Sequence, residues 1–153
     1  RPLLLHGYFS YLYLSKFIII NKTDYYRLLQ EVTVQGQWEE WVLFMLKGIE
    51  ETANETLTLI KKINESLKNT AEEIKNVLPK IYSRELVDLI FFEFYTKIPY
   101  IEQGLGVSRK TAAKYLSDLE DAGFLVSEKV GRERIYLNRE LFGIVKNAGE
   151  NRG

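Results

Sequence analysis

Two short groups of basic side chains stand out in the chain: Arg109, Lys110 and Lys114, and then Lys129, Arg132 and Arg134. Around the first group lie Ser108, Thr111, Ala113 and Ser117, which are small or carry hydroxyls. Guanidinium and ammonium groups set among small residues on one helix face can meet phosphates and reach base edges in the major groove of double-stranded DNA. The second group brackets the run Val130-Gly131-Arg132-Glu133, which reads as a β-turn, so its charges belong to the tip of a wing. Bond-making chemistry lacks its raw materials. There is no cysteine and only one histidine, His6, which excludes disulfides, Cys nucleophiles, thiolate zinc sites and multi-histidine metal sites. No catalytic, cofactor-binding or metal-binding residue is assigned.

The elements that must position the basic groups can be read from Ser83 onward. Ser83 caps a helix whose buried stripe is Leu86, Leu89, Ile90, Phe94 and Tyr95. Pro99 suits the first turn of a short helix, and Ile101 points inward. Gly106 supplies the left-handed residue of a tight turn, Val107 plugs the angle between two helices, and Ser108 caps the next one. In that helix Ala112, Leu116 and Leu119 are spaced by four and three and share the inward face. Arg109, Lys110, Ala113, Lys114 and Ser117 are thereby left outward on its N-terminal half, while Asp118, Glu120 and Asp121 make the other end acidic. Gly123 ends the helix, Phe124 to Lys129 alternates as a strand, and Arg134 to Leu137 returns as its partner. A helix from Arg139 to Lys146, with Leu141, Phe142 and Val145 inward, closes the module. This order is that of a winged helix-turn-helix domain over residues 83–147, with a small β-hairpin as a mobile wing.

The first part of the chain reads as helical. Leu3 to Ile20 is nearly all apolar, but His6, Gly7, Lys16 and several tyrosines favour a helix buried among others over a membrane span. Thr23 reads as the N-cap of a helix with Tyr25, Tyr26, Leu28, Leu29 and Val32 on its apolar side, ended by Gly36. A long helix from Gln37 to Leu78 follows, about 60 Å at 1.5 Å per residue. Its seam is Trp38, Trp41, Val42, Met45, Leu46, Ile49, Ala53, Thr56, Ile60, Ile63, Leu67, Ile74 and Val77. That seam packs either on helices of the same chain or, through Ile60, Ile63, Leu67 and Ile74, on a second copy in a homodimer. Pro79 ends the helix, so residues 1–80 form a helical portion and a short joint separates it from the module after Ser83. The fold class is mainly α.

Lys plus Arg and Asp plus Glu both number 21, so a nucleic-acid surface has to come from local segregation of charge. A cytoplasmic protein fits the cysteine-free composition, and the sequons at Asn21, Asn54 and Asn64 read as chance matches. The chain opens at Arg1 without an initiator methionine or a helix cap and reads as cut from something longer.

Three runs carry a family resemblance. Leu12-Tyr-Leu-Ser-Lys-Phe-Ile-Ile-Ile-Asn-Lys, Asp24-Tyr-Tyr-Arg-Leu-Leu and Trp38-Glu-Glu-Trp-Val-Leu-Phe-Met-Leu-Lys-Gly-Ile-Glu-Glu-Thr-Ala resemble the part of Fic-family proteins that follows their catalytic motif. Thr111-Ala112 and the pattern from Leu116 to Gly123 resemble the winged helix at the C-terminus of many bacterial Fic proteins. The resemblance implies a parent that transfers AMP from ATP to a hydroxyl side chain of a target protein. It also implies a catalytic loop of the form HxFxDGNGRxxR, which holds magnesium and the phosphates. That loop is missing: His6 stands in His-Gly-Tyr-Phe-Ser-Tyr, with no acidic residue or Gly-Asn-Gly turn after it. The chain is therefore expected to be a noncatalytic C-terminal region, with ATP and magnesium belonging to the parent's catalytic domain. Its expected role is that of a DNA-binding transcriptional regulator. The alternative is a protein-docking module that recruits targets of AMP transfer, to which Tyr100 and Tyr115 point.

Overall fold

The computed structural model of the chain describes residues 14–150; residues 1–13, with His6 and the start of the apolar run, lie outside the described residues. Residues 14–20 are helical (α1), followed by α2 (Lys22–Gln35), α3 (Glu39–Val77), α4 (Arg84–Phe92), β1 (Tyr95–Thr96), α5 (Ile98–Leu105), α6 (Arg109–Asp121), β2 (Leu125–Val130), β3 (Glu133–Asn138) and α7 (Arg139–Glu150). The chain is mainly α, with one long helix and a small antiparallel sheet of strand order β1-β3-β2. Among the described residues no helix is long and apolar enough to cross a membrane. Two compact units meet inside α3, residues 1–60 and residues 61–153.

In the first unit the packed face of α3 agrees only in part with the apolar seam: Trp41 and Met45 are half-buried as that seam requires, and others of its members are not. Trp38, Val42, Leu46 and Ile49 are exposed. The face that packs carries Trp41, Phe44 and Gly48, spaced by three and four residues. The rings of Phe44 and Phe17 lie 5.1 Å apart, as do those of Trp41 and Tyr25. Gly48 explains the choice. A Cβ there would stand 2.5 Å from Cδ1 of Phe17, so the missing side chain lets the ring seat directly on the helix backbone. Thr23 is not a cap: α2 starts at Lys22, and the side-chain amide of Asn21 instead donates to the Phe17 carbonyl at 2.9 Å. Leu28 and Val32 are buried as expected, whereas Tyr26 and Leu29 are exposed. Gly36 does end the helix, at φ 67°, with its N–H on the Val32 carbonyl.

The second unit has a single core in which Ile74, Leu86, Val87, Ile101, Ala112, Leu116 and Leu119 are fully buried. Ile63 and Leu67 of α3 pack against that core and Ile74 lies within it, so this part of the seam is covered by the chain itself. Ser83 caps α4 by accepting the Leu86 N–H at 3.0 Å, a bond type worth about 1 kcal/mol. The helix stops at Phe92, because Glu93 turns extended at φ −135° and ψ 168°. Phe94 and Tyr95 thus leave the helix they were expected to extend. Tyr95 and Thr96 become a third strand, paired with Leu137 and Tyr136, where a two-stranded hairpin had been expected. The closing helix runs past Lys146, and Phe142 is exposed rather than inward.

Asn138 joins these pieces. It is 3% exposed, and its backbone N–H donates to the Phe94 carbonyl at 3.1 Å. Its side-chain amide donates to the Ile90 carbonyl at 3.0 Å, while Oδ1 accepts the Leu141 N–H at 3.1 Å. One residue therefore satisfies a carbonyl near the end of α4 and caps the start of α7.

Two expectations follow for urea unfolding monitored by circular dichroism. Ile74→Ala should cost about 2 to 5 kcal/mol, whereas Val77→Ala, at a position 61% exposed, should stay within about 0.5 kcal/mol. Equal, small losses would mean that α3 is not part of the core. Asn138→Ala should cost about 1 to 3 kcal/mol, because it strands buried groups on both α4 and α7.

Candidate nucleic-acid interface

The α5–α6 pair is built as its residues require. Pro99 lies in the first turn of α5, and Gly106 closes that helix at φ 63° with its N–H on the Glu102 carbonyl. Val107 packs partly buried against the core. Ser108 caps α6, accepting the Thr111 N–H at 3.2 Å, and its hydroxyl lies 2.9 Å from that of Thr111. With Ala112, Leu116 and Leu119 fully buried, Arg109, Lys110, Lys114 and Ser117 are exposed, while Thr111 and Ala113 are half-buried beside them. Two hydroxyls and three cations thus surround the N-terminal half of α6, where unpaired N–H groups and the helix dipole favour an anion. Lys114 is drawn toward the acidic end by an ion pair with Asp118 at 2.6 Å. The pair is exposed and one helical turn long, so a phosphate can displace it at small cost.

The hairpin brings the second basic group to the same side of the sheet as the core. Ser127 pairs with Tyr136, Lys129 with Arg134, and Val130 with Glu133 across a two-residue turn. Gly131 has φ 62° and Arg132 does not, the arrangement of a type II′ turn, whose twist matches that of the strands. Side chains alternate along a strand, so Lys129 and Arg134 share a face with Leu125, Tyr136 and Asn138, all buried. The basic pair is where the core-facing side of the hairpin runs out beyond the core. Lys129, Arg132 and Arg134 are all exposed.

The hairpin, expected to be a mobile wing, is tied at two points that sequence reasoning missed. At the β2 edge the carboxylate of Glu120, on α6, accepts the Ser127 N–H at 2.9 Å. On the β3 side, Glu133 is ion-paired to Lys97, the residue preceding α5. The Lys97 ammonium also lies 5.9 Å from the ring centre of Tyr95 and 6.0 Å from that of Tyr100. The Glu133 hydrogen bond raises the Lys97 pKa above the usual lysine value of 10.5; burial opposes this, and the charge of Glu133 adds to it. Hydrogen bonding by Ser127, through its hydroxyl and then its amide, holds the Glu120 carboxyl below its usual 4.5; the charge of Arg134 adds to this and burial opposes it. Nothing local marks either tie. Glu120 and Ser127 are brought together by the turn at Gly123, and Lys97 and Glu133 by the pairing of β1 with β3.

Residues 67–141 match the family model described as protein adenylyltransferase SoFic-like, C-terminal domain. This segment is similar to a C-terminal part of a Fic-family protein. The Fic match opens at Leu67, inside α3, and Leu67 packs on the core that holds α6, so the second half of α3 belongs with the domain in packing as well. It closes at Leu141, the residue whose N–H Asn138 caps, and takes in both basic groups and both ties of the hairpin.

A carboxyl group whose pKa is lowered on folding stabilises the fold above its unfolded pKa. That contribution is lost as pH falls through the folded value. A side-chain carboxyl titration by NMR should therefore place the Glu120 midpoint below 4.5. Glu120→Gln should remove the corresponding part of the acid-side loss of stability. A midpoint at or above 4.5 would mean that the bond to Ser127 does not form in solution.

Proposed function

We propose that the second unit is a winged helix-turn-helix that binds double-stranded DNA, and that the chain serves as the noncatalytic, DNA-binding region of a cytoplasmic Fic-family protein adenylyltransferase, acting as a transcriptional regulator. The observation that supports this reading is the presence of two exposed basic groups on elements joined by a hydrogen bond, that of the Ser127 N–H to Glu120 in the last turn of α6. One lies on the exposed N-terminal half of α6, and the other on the tip of a hairpin tied to that helix. In such a complex α6 enters the major groove from its N-terminal end. Ser108 and Thr111 meet phosphate, Ala113 and Ser117 let the helix approach closely, and Arg109, Lys110 and Lys114 reach base edges. Lys129, Arg132 and Arg134 hold the adjoining backbone or minor groove. The acidic end of α6, with Asp118, Glu120 and Asp121, turns away from the duplex.

Adenylyl transfer itself, with its ATP and magnesium, is assigned to a catalytic Fic domain and not to these residues. The HxFxDGNGRxxR loop is absent from the sequence. Among the described residues no group of three or more His, Cys, Asp or Glu side chains could hold a metal ion. A second reading, a surface that docks target proteins, is favoured by the exposed apolar side chains of Val126, Val130 and Phe142 and by Tyr100.

Fluorescence anisotropy against a selected site and a scrambled duplex separates the two. DNA affinity should fall with salt at a log–log slope of about 0.9 per phosphate contacted, whereas apolar docking responds little. Arg132→Ala should weaken binding to both duplexes and flatten that slope by about one contact, leaving the preferred site unchanged. Arg109→Ala or Lys110→Ala should relax preference at one or two base pairs, by about 1 to 3 kcal/mol. Failure of the unaltered, folded chain to bind either duplex at low salt would overturn DNA recognition in favour of docking.

A further inference from the structure

Glu120 has the wrong sign for a residue on a DNA-reading helix, and its surroundings give it a different task. It is half-buried and lies seven residues before Ser127, whose backbone N–H it accepts at 2.9 Å. β2 is an edge strand of the β1-β3-β2 sheet, so alternate N–H groups along it point away from β3 and have no ladder partner. The carboxylate supplies one of those partners from the neighbouring helix. Ser127 stands two residues before Lys129, which faces Arg134 across the hairpin. At about 3.4 Å per residue, the bond lies about 7 Å along the strand from the basic pair. The charge of Arg134 in turn favours the ionised form of Glu120.

We infer that Glu120 is a positioning residue for DNA binding: by bonding the edge of β2 to α6, it holds the basic hairpin tip at a fixed offset from the reading half of that helix. This rests on the DNA-binding reading above and adds to it the residue that makes helix and hairpin act as one surface. Preorganising the hairpin removes an ordering cost that would otherwise be met on binding.

The inference has a sign opposite to that of simple electrostatics. If Glu120 were only a solvated acid, its removal would relieve repulsion of phosphate and tighten binding. If it positions the hairpin, Glu120→Ala should weaken binding by roughly tenfold at moderate salt and flatten the salt slope, as the loss of one or two phosphate contacts does. Preference for the selected site over the scrambled duplex should be unchanged, since the N-terminal half of α6 is untouched. Glu120→Gln keeps the acceptor oxygen without the charge, and should bind as tightly as the unaltered chain or more tightly. The loss from Glu120→Ala should also shrink in an Arg134→Ala background, where part of what it positions is already gone.

Ser127→Pro removes the same bond from the donor side, at an edge-strand N–H where proline breaks no ladder bond, and should reproduce the loss. It decides the matter if Glu120→Ala fails to fold by circular dichroism. Binding by Glu120→Ala, or by Ser127→Pro, at or above the unaltered affinity overturns the positioning role while leaving DNA recognition standing. Absence of binding by the unaltered chain overturns both.

Discussion

Asn138 is a buried polar side chain at the meeting point of α4, β1, β3 and α7, and the arrangement of the second unit depends on its hydrogen bonds being made together. Its amide holds the Ile90 carbonyl, its carbonyl oxygen caps α7 at Leu141, and its backbone N–H takes the Phe94 carbonyl just before β1. Burying an amide without partners costs more than a made bond contributes, so the geometry that satisfies all three groups is strongly preferred over nearby alternatives. Fixing the C-terminal end of β3 in this way fixes the strand, and β3 carries β1 on one side and β2 on the other. The offset of the hairpin from the helices thus begins at a residue remote from its charged tip.

From that anchor the placement of charge follows. Glu120 holds the hairpin at its β2 edge and the Lys97–Glu133 pair holds it on the β3 side, and both use carboxylates that would otherwise oppose an approaching polyanion. Asp118 is likewise engaged, by Lys114. A chain with equal numbers of acidic and basic residues can present a basic surface where unpaired cations are segregated from its acids. Arg109, Lys110, Lys129 and Arg132 have no ion pair within the described residues, which leaves them available to phosphate.

Signals confined to a few residues were legible in the sequence. Ser83 and Ser108 as caps, Gly36 and Gly106 as left-handed terminators, and Ala112, Leu116 and Leu119 as one inward face each depend on local backbone geometry alone, and each holds. The turn at Val130-Gly131-Arg132-Glu133 was legible for the same reason. What was illegible depends on partners distant in sequence. Tyr95 and Thr96 are too short a run to announce a strand and become one only because β3 has a free edge. The working face of α3 in the first unit was legible only in part, at Trp41 and Met45, because apolar spacing fitted two stripes, and the choice between them rests on how Phe17 seats on Gly48. Asn138 and Glu120 looked like ordinary polar residues, since neither burial nor an edge-strand N–H can be seen in a residue type.

In the proposed complex the N-terminal half of α6 and the tip of the hairpin meet DNA as one surface. Amide chemical-shift mapping of the isotope-labelled chain, titrated with a selected duplex at low salt, follows both groups in one experiment. Perturbations should concentrate on residues 108–117 and 129–134 and appear together at the same duplex concentrations, with residues 63–77 of α3 and Phe142 of α7 unmoved. Shifts centred on Tyr100, Phe142 and the exposed face of α7, with residues 108–117 unchanged, would contradict it.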